Sequence, residues 1–496
     1  MTAVRTSERW LAGLASARLF WALLGLNLLA TAAVAAFTFH NISGDHFTYL
    51  GYAEGMSKGW YTYWYFLPEY LPDTFRNPGY PVFLFALKWL GLGEGGIRVV
   101  QVGVYLATIL CLLRVAAWCE RGPRSWLVHN LFLLLLLPNV QLAYFAAVIF
   151  PEVLVAFLLA AYGAVALTWP AGTWKRTVAL ALLAGCIFQT RPIFLFFPLV
   201  QVALDAWQAR PKAAFAWGQA VAMLALFAAT MLPYTLWNHR HHGVWKPTSL
   251  EGGAGVMQIG FWALRMPGYE EKRYWNNQMG EEVVSFTDSA EVPGHIAAFN
   301  REWDTVDAQC RPLLTARDRR YLPLMRRYRA MVTPDRGHLF PTYSTAYTLG
   351  REHFLMQANL ADIRREPGYY LKTRLYTLVR LWVTGIQVPA WRAATTPVAK
   401  IKVLYTTLVR GLRFLLALIG VGWAVGRRRA ALALPPAWWF SLALTGYFGL
   451  IHLPFAIQAR YTVPVRPWLL LGIALVGAAW LTRLATSSEE ESSNRA

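Results

Sequence analysis

Long apolar runs separated by short polar connections dominate the chain, and within the runs the apolar residues are continuous, with no alternation of period two. About 20 apolar residues let a helix cross the hydrocarbon of a bilayer. Runs of that kind fall at roughly 19–39, 97–117, 126–145, 150–168, 176–190, 191–207, 213–236, 402–425, 432–454 and 464–484. The pattern predicts an all-α polytopic membrane protein with about ten transmembrane helices, in a range of roughly nine to thirteen. Two of the spans, 176–190 and 191–207, are short and meet at Arg191-Pro192. The run 78–92 is also apolar but short, and it begins Pro78-Gly79-Tyr80-Pro81. Whether it spans decides the topology.

Charge places the sides. Only 15% of the 496 residues are charged, against about 25% in soluble proteins, which excludes a fully water-exposed surface. The 47 Lys and Arg against 27 Asp and Glu give +20. In a soluble chain that excess would suggest nucleic acid. Here it fits cytoplasmic loops beside anionic membrane lipids, and with no zinc-finger or RNA-binding signature no nucleic-acid partner is expected. If 78–92 is juxtamembrane, Arg5/Arg9/Arg18, Arg121/Arg124, Lys175/Arg176, Arg210/Lys212 and Arg427/Arg428/Arg429 all fall inside. The positive-inside rule favours that choice, with both termini cytoplasmic. The run from Leu19 to about Phe37 follows basic residues but lacks a convincing cleavage site, and reads as a retained signal anchor. Cys111, Cys119 and Cys186 lie in or beside apolar runs and Cys310 in a polar one, so no internal disulfide is expected.

The chain then divides into an N-terminal transmembrane module, 1–236, a polar stretch, 237–370, a C-terminal module, 371–485, and an acidic, Ser-rich tail, 486–496, expected to be disordered. The polar stretch carries 17 Lys/Arg against 15 Asp/Glu with scattered Trp and Tyr, the composition of a small mixed cap domain on the non-cytoplasmic side.

The candidate chemistry gathers on that same side. In Asn41-Ile42-Ser43-Gly44-Asp45-His46-Phe47-Thr48-Tyr49, Asp45 directly follows the first span, and Asp45, Tyr49 and Ala53 share a helix face. A carboxylate there suits a general base for an acceptor hydroxyl; helix N-capping fits equally. Trp60 to Phe66 holds six aromatics in seven residues, read as an interfacial anchor before a sugar platform. Glu69 and Asp73 read as solvated loop charges or a second acid. Glu152 follows Pro151 at the outer mouth of a span, where it is functional, paired or simply favoured by the helix dipole. Arg191 at the same surface calls for a partner: a lipid phosphate, Glu152 or Asp45. Arg460 has the same choice between phosphate and headgroups. His239, His241 and His242 lack the companions of a metal site and read as interfacial. Lys246 to Gly253 reads as a small-residue loop, a backbone approach to a ligand or a turn. No P-loop, GxSxG elbow or HExxH occurs.

Taken in order, these segments resemble the polytopic GT-C glycosyltransferases, in the family 39 branch that includes the bacterial protein O-mannosyltransferases and the lipid A aminoarabinose transferase. Asp45-His46-Phe47-Thr48-Tyr49 with Ala53 and Gly55 is similar to the first-loop motif D-x-x-x-Y-x-x-x-A-x-x-x-x-G, followed by Arg76-Asn77-Pro78-Gly79-Tyr80-Pro81. Pro151-Glu152, Thr190-Arg191-Pro192, Trp237-Asn238-His239-Arg240 with Thr248-Ser249 and Gly252-Gly253, Glu366-Pro367-Gly368-Tyr369-Tyr370, and Arg460-Tyr461 with Pro464 complete the series. The resemblance covers 1 to about 260 and 365 to 485; 265–365 has no counterpart.

It implies an inverting transfer of a sugar from a polyprenyl-phosphate donor to a lipid, glycan or protein acceptor, at the periplasmic face of the inner membrane. Asp45 would be the base, Glu152 a catalytic acid positioning the acceptor or an arginine, and Arg191, Arg460 and Tyr461 the donor-phosphate contacts. Tyr49, Arg76, Tyr80, Arg240 and Gly252, within the matching motifs, would contact substrate. No cofactor is firmly implied. Some relatives use a divalent metal and others none, and a single first-loop Asp without an adjacent second acid points against one. The rival is a transporter or flippase of a lipid-linked glycan, which favours broken helices and charges near the bilayer midplane; the polar candidates cluster at one face instead.

Overall fold

A computed structural model describes residues 10–38, 44–120, 122–209, 215–258, 301, 303–332, 340–383, 395–426, 434–455 and 459–493. Among these the regular structure is entirely helical. Each predicted span meets a helix or a pair of helices: α1 (Ala17–Thr38), α4 (Glu94–Cys119), α5 and α6 (Pro123–Leu136, Val140–Ala147), α7 (Glu152–Thr168), α8 (Trp174–Thr190), α9 (Phe197–Gln208), α10 (Trp217–His242), α14 (Pro397–Gly426), α15 (Pro436–Ile451) and α16 (Arg466–Ser493). Outside these lie α2 (Gly44–Ser57) and α3 (Gly79–Trp89) in the first connection, and α11 (Ala316–Val332), α12 (Thr345–Arg365) and α13 (Pro367–Val383) between the modules.

Among the described residues, α1, α4, α10 and Arg466–Leu484 of α16 are each long and apolar enough to cross a membrane. α5 and α6 would together make a fifth crossing, although they meet at 70°. The expected span 126–145 is therefore broken. Pro138 supplies no N–H to the helical ladder, and Asn139 instead turns its side-chain amide onto the Leu135 carbonyl. α7 and Pro192–Gln208 are shorter apolar segments. α3, at 11 residues, is about 16 Å long and cannot cross about 30 Å of hydrocarbon, so 78–92 does not span.

The passes alternate direction, as the contacts at both ends show. At one end Asn130, on α5, donates to the Leu14 carbonyl at 2.6 Å, Arg176, on α8, binds Asp205 of α9 at 2.8 Å, and Trp207 meets Trp439 at 4.7 Å. Arg18, Arg124, Lys175 and Arg176 lie at this end; the other predicted basic clusters fall outside the described residues in whole or part. The opposite end gathers α2, α3, the starts of α7 and α16, and the ends of α8, α10 and α15. Small residues allow close packing between helices. A Cβ on Gly163 of α7 would lie 2.1 Å from the Trp468 ring of α16.

The described part of the polar stretch is helical, and α13 runs across position 370. The last helix continues to Ser493, through most of the segment expected as a disordered tail. An acidic, Ser-rich segment carries on where an apolar helix has already nucleated it. All four cysteines are free.

Candidate active site

Asp45 lies in the first turn of α2, close to where α1 ends. Its carboxylate is clasped by two guanidiniums: Arg76 Nη2 donates to Oδ1 at 2.7 Å and Arg460 Nη1 to Oδ2 at 2.7 Å. Burial works to raise the Asp45 pKa, but Arg460 and then Arg76 outweigh it and hold the carboxyl well below the usual range. At neutral pH Asp45 is an anion.

Arg76 is set by its own backbone. Its N–H donates to the Tyr52 hydroxyl at 3.0 Å, and its carbonyl accepts from Tyr61 at 2.7 Å and Tyr234 at 3.0 Å. The guanidinium stacks 4.0 Å from the Phe75 ring and 5.2 Å from Tyr49. Tyr49 meets Tyr80 edge-on at 4.9 Å, and with Ala53 both are buried against α3 and α4. The helix face read from the spacing of Asp45, Tyr49 and Ala53 thus forms, with its apolar members inward.

Gly79 brings this loop onto Arg191. A Cβ there would stand 2.6 Å from the Gln189 carbonyl carbon and the Thr190 nitrogen, so α3 begins in direct contact with the end of α8. Asn77 adds a bond to Gln189 at 3.2 Å. Arg191 pairs with Glu152, a fully buried residue at the start of α7. Arg191 and Arg460 flank the same Tyr461 ring, at 5.9 and 5.8 Å. Asp45, Arg460, Tyr461, Arg191 and Glu152 therefore form one continuous charged and aromatic chain.

Beside Tyr461 opens a cavity of ≈ 420 Å³. Its lining is mixed, with Arg191, Lys246, Thr248, Ser249 and Glu251 among the polar residues and Ile193, Phe194, Phe196, Phe448, Ile451 and Phe455 among the apolar ones. Such a cavity suits a ligand with an anionic or polar head and a hydrocarbon tail. The 246–253 loop is fixed from below: Asn77 Oδ1 accepts from Ser249 N at 2.8 Å, and the Thr74 carbonyl accepts from Leu250 N at 2.9 Å and Glu251 N at 3.1 Å.

Of the residues singled out from sequence, Asp45, Glu152, Arg191, Arg460, Tyr461, Tyr49, Arg76 and Tyr80 converge here, and Gly252 lines the cavity. Arg240 does not join them; it is exposed on the last turn of α10. Arg460, placed from sequence on phosphate or headgroups, is committed to Asp45. The aromatic run differs from an interfacial anchor: Tyr63 and Trp64 are buried with Tyr52, Leu67, Tyr321 and Tyr343, joining the first loop to α11. Glu69 stays at the surface, where it binds Arg317, Arg320 and Tyr321, whereas Asp73 differs from a solvated charge and is fully buried. His242, read as interfacial, is buried and bonded to Thr345 at 2.7 Å. Sequence reading took Lys246 and Glu251 only as part of a small-residue loop, a backbone approach to a ligand or a turn, and passed over Arg351 and Glu352 of α12 altogether; nothing local marks residues a hundred positions away as neighbours of the loop. Among the described residues no three His, Cys, Asp or Glu side chains come together as a metal site requires.

No family profile matches this chain, and no curated protein matches it. Among solved structures it is similar to ArnT from Cupriavidus metallidurans bound to undecaprenyl phosphate, at 15% identity and a TM-score of 0.34, over 93% of this chain and 79% of that one. It is similar also to the apo state of the same protein, at 15% identity and a TM-score of 0.32, over 94% and 78%.

Proposed function

We propose that this multi-pass membrane protein is an inverting glycosyltransferase that moves a sugar from a polyprenyl-phosphate donor to a lipid, glycan or protein acceptor on the non-cytoplasmic side of the inner membrane. The observation that carries the reading is the placement of an ionised Asp45 between two arginines, one Tyr461 ring away from a cavity whose lining combines Arg191 and Lys246 with many apolar side chains. A polyprenyl phosphate matches both kinds of lining. The motif order that resembles the GT-C family points the same way.

In the proposed reaction the acceptor hydroxyl or amine gives its proton to Asp45 and forms a bond to the anomeric carbon from the face opposite the phosphate. The bond from that carbon to the phosphate oxygen breaks, and polyprenyl phosphate leaves with the electron pair. Charge grows on the leaving phosphate, where Arg191 and Lys246 offer preorganised cations. A carboxylate held so firmly ionised is a weak base. A donor phosphate that draws Arg460 away would restore its proton affinity as the substrates assemble. Glu152 keeps Arg191 in place.

The test uses protein in proteoliposomes with a panel of undecaprenyl-phosphate sugars and membrane extract as acceptor. Free undecaprenyl phosphate is the expected product. Movement of the intact lipid-linked sugar across the bilayer with no release from any donor would favour the flippase reading instead.

A further inference from the structure

His452 directly follows α15, lines the cavity beside Tyr461 and is 5% exposed. Its ring lies 4.1 Å from the Phe448 ring and 5.6 Å from the Tyr461 ring. Nδ1 stands 2.8 Å from the Phe448 carbonyl oxygen. A carbonyl only accepts, so Nδ1 carries a proton and donates it there. Nε2 is the nitrogen left over. It has no hydrogen-bond partner among the described residues, yet it is not sealed in and keeps contact with the open space of the cavity. Buried polar groups are ordinarily bonded, so a bare imidazole nitrogen in a cavity wall points to a ligand.

The neighbours narrow the ligand. Arg191 gives Nη2 to Glu152, keeps 26% of its side chain exposed, and lies 5.9 Å from the same Tyr461 ring. Arg191 and His452 thus border one ring and one cavity, the first a permanent cation and the second able to titrate. The other charged or titratable groups around the imidazole are Lys246 and Glu251 of the loop, Arg460 and Tyr461 of the Ala459–Thr462 turn, and Arg374 of α13. Lys246 Nζ donates to the Leu250 carbonyl at 3.1 Å, Arg374 Nη1 donates to the Leu453 carbonyl at 3.2 Å, and Arg460 is turned onto Asp45.

The donor and the product of the proposed reaction differ in what they offer Nε2. The donor phosphate is a diester, with one charge and only accepting oxygens. The product is a monoester, which loses its second proton near a pKa of about 6. Transfer frees the acceptor's proton, first onto Asp45, so one proton is available to the product. A diester oxygen facing the neutral ring sets lone pair against lone pair. A monoester either donates its P–O–H to the neutral ring or, as a dianion, accepts from the charged one. In both cases one proton lies between the two groups.

We propose that His452 recognises the product: Nε2 shares one proton with the phosphate monoester that transfer releases, and holds it in the cavity until that proton is lost. The inference rests on the glycosyltransferase reading above. It adds a residue that lies outside every motif carrying the family resemblance.

Binding to the full-length protein in detergent tests it, from about pH 6.5 to about pH 8.5. The probes are undecaprenyl phosphate and its methyl diester, with wild type, His452→Gln and His452→Phe; the last keeps a flat ring against Phe448 and Tyr461. Wild-type affinity for the monoester should fall with rising pH by up to about tenfold per unit, because the bound pair keeps a proton that the free groups have lost. Affinity for the diester should stay level. Neither variant should show the fall for the monoester, with diester binding reporting an intact fold. A level or rising wild-type profile for the monoester would overturn the assignment, and so would a fall that persists in a variant still binding the diester. A parallel fall for both lipids would assign the titration to Lys246 and overturn it too. If wild type bound neither lipid, the donor reading would fail and take this one with it.

Discussion

Asp45 and Asp73 are two carboxylates of one connection in opposite surroundings. Arginines hold Asp45 ionised, whereas Asp73 forms no ion pair with a Lys or Arg among the described residues. Its Oδ1 accepts from Phe75 N at 3.1 Å, and burial drives its pKa from the usual 3.8 up to about 7. Between those values the folded chain keeps a proton that the unfolded chain releases. Stability should therefore fall as pH rises through that window and level off above about 7. Asp73→Asn has no such proton, so its melting temperature should lack this fall and should exceed that of wild type most at pH 8; a parallel pair of curves would contradict the assignment. Asp45 was legible in the sequence because it follows a span and opens a helical stripe. Asp73 was not, since what buries it includes Thr342, far along the chain, and a lone acid in a polar loop carries no sign of what will cover it.

Helices were the most legible level, because continuous apolar runs report spans directly. What the runs concealed were the breaks and the fine fit between elements. The α5–α6 bend follows from Pro138, and the short α3 from a run too brief to cross. The seating of α3 on the end of α8 depends on Gly79, which the sequence offered only as part of a turn. Gly79→Ala would force a methyl against the backbone of Gln189 and Thr190. Overpacking of this kind costs about 1–3 kcal/mol. The larger effect should be on turnover, since Arg76 and Arg191 sit on the two sides of the contact. Donor turnover should drop while the melting temperature falls only a few degrees; full turnover would show that the contact does not position the site.

Across the whole molecule, the helices between the modules are bound to the first connection in two ways. Glu69 meets Arg317 and Arg320 at the surface, while Trp64 Nε1 donates to Thr342 Oγ1 at 3.0 Å and Thr74 Oγ1 to the Thr342 carbonyl at 2.6 Å, both buried. Exposed pairs contribute little and buried aromatics much. Glu69→Ala should barely move the melting temperature, and Trp64→Ala should cost about 3–5 kcal/mol; equal effects would place the attachment at the surface instead. That attachment sets Thr74 under the 246–253 loop, and so ties the polar stretch to the cavity beside Asp45. The most direct measurement is release of undecaprenyl phosphate from its sugar derivatives by wild type and Asp45→Asn, at matched amounts and with membrane extract as acceptor. A general base is worth about 10²–10⁴-fold, so wild type should release the lipid phosphate and Asp45→Asn should be slower by at least the lower of those factors. Equal rates would remove Asp45 as the base, and no release by either protein from any donor would contradict the glycosyltransferase itself.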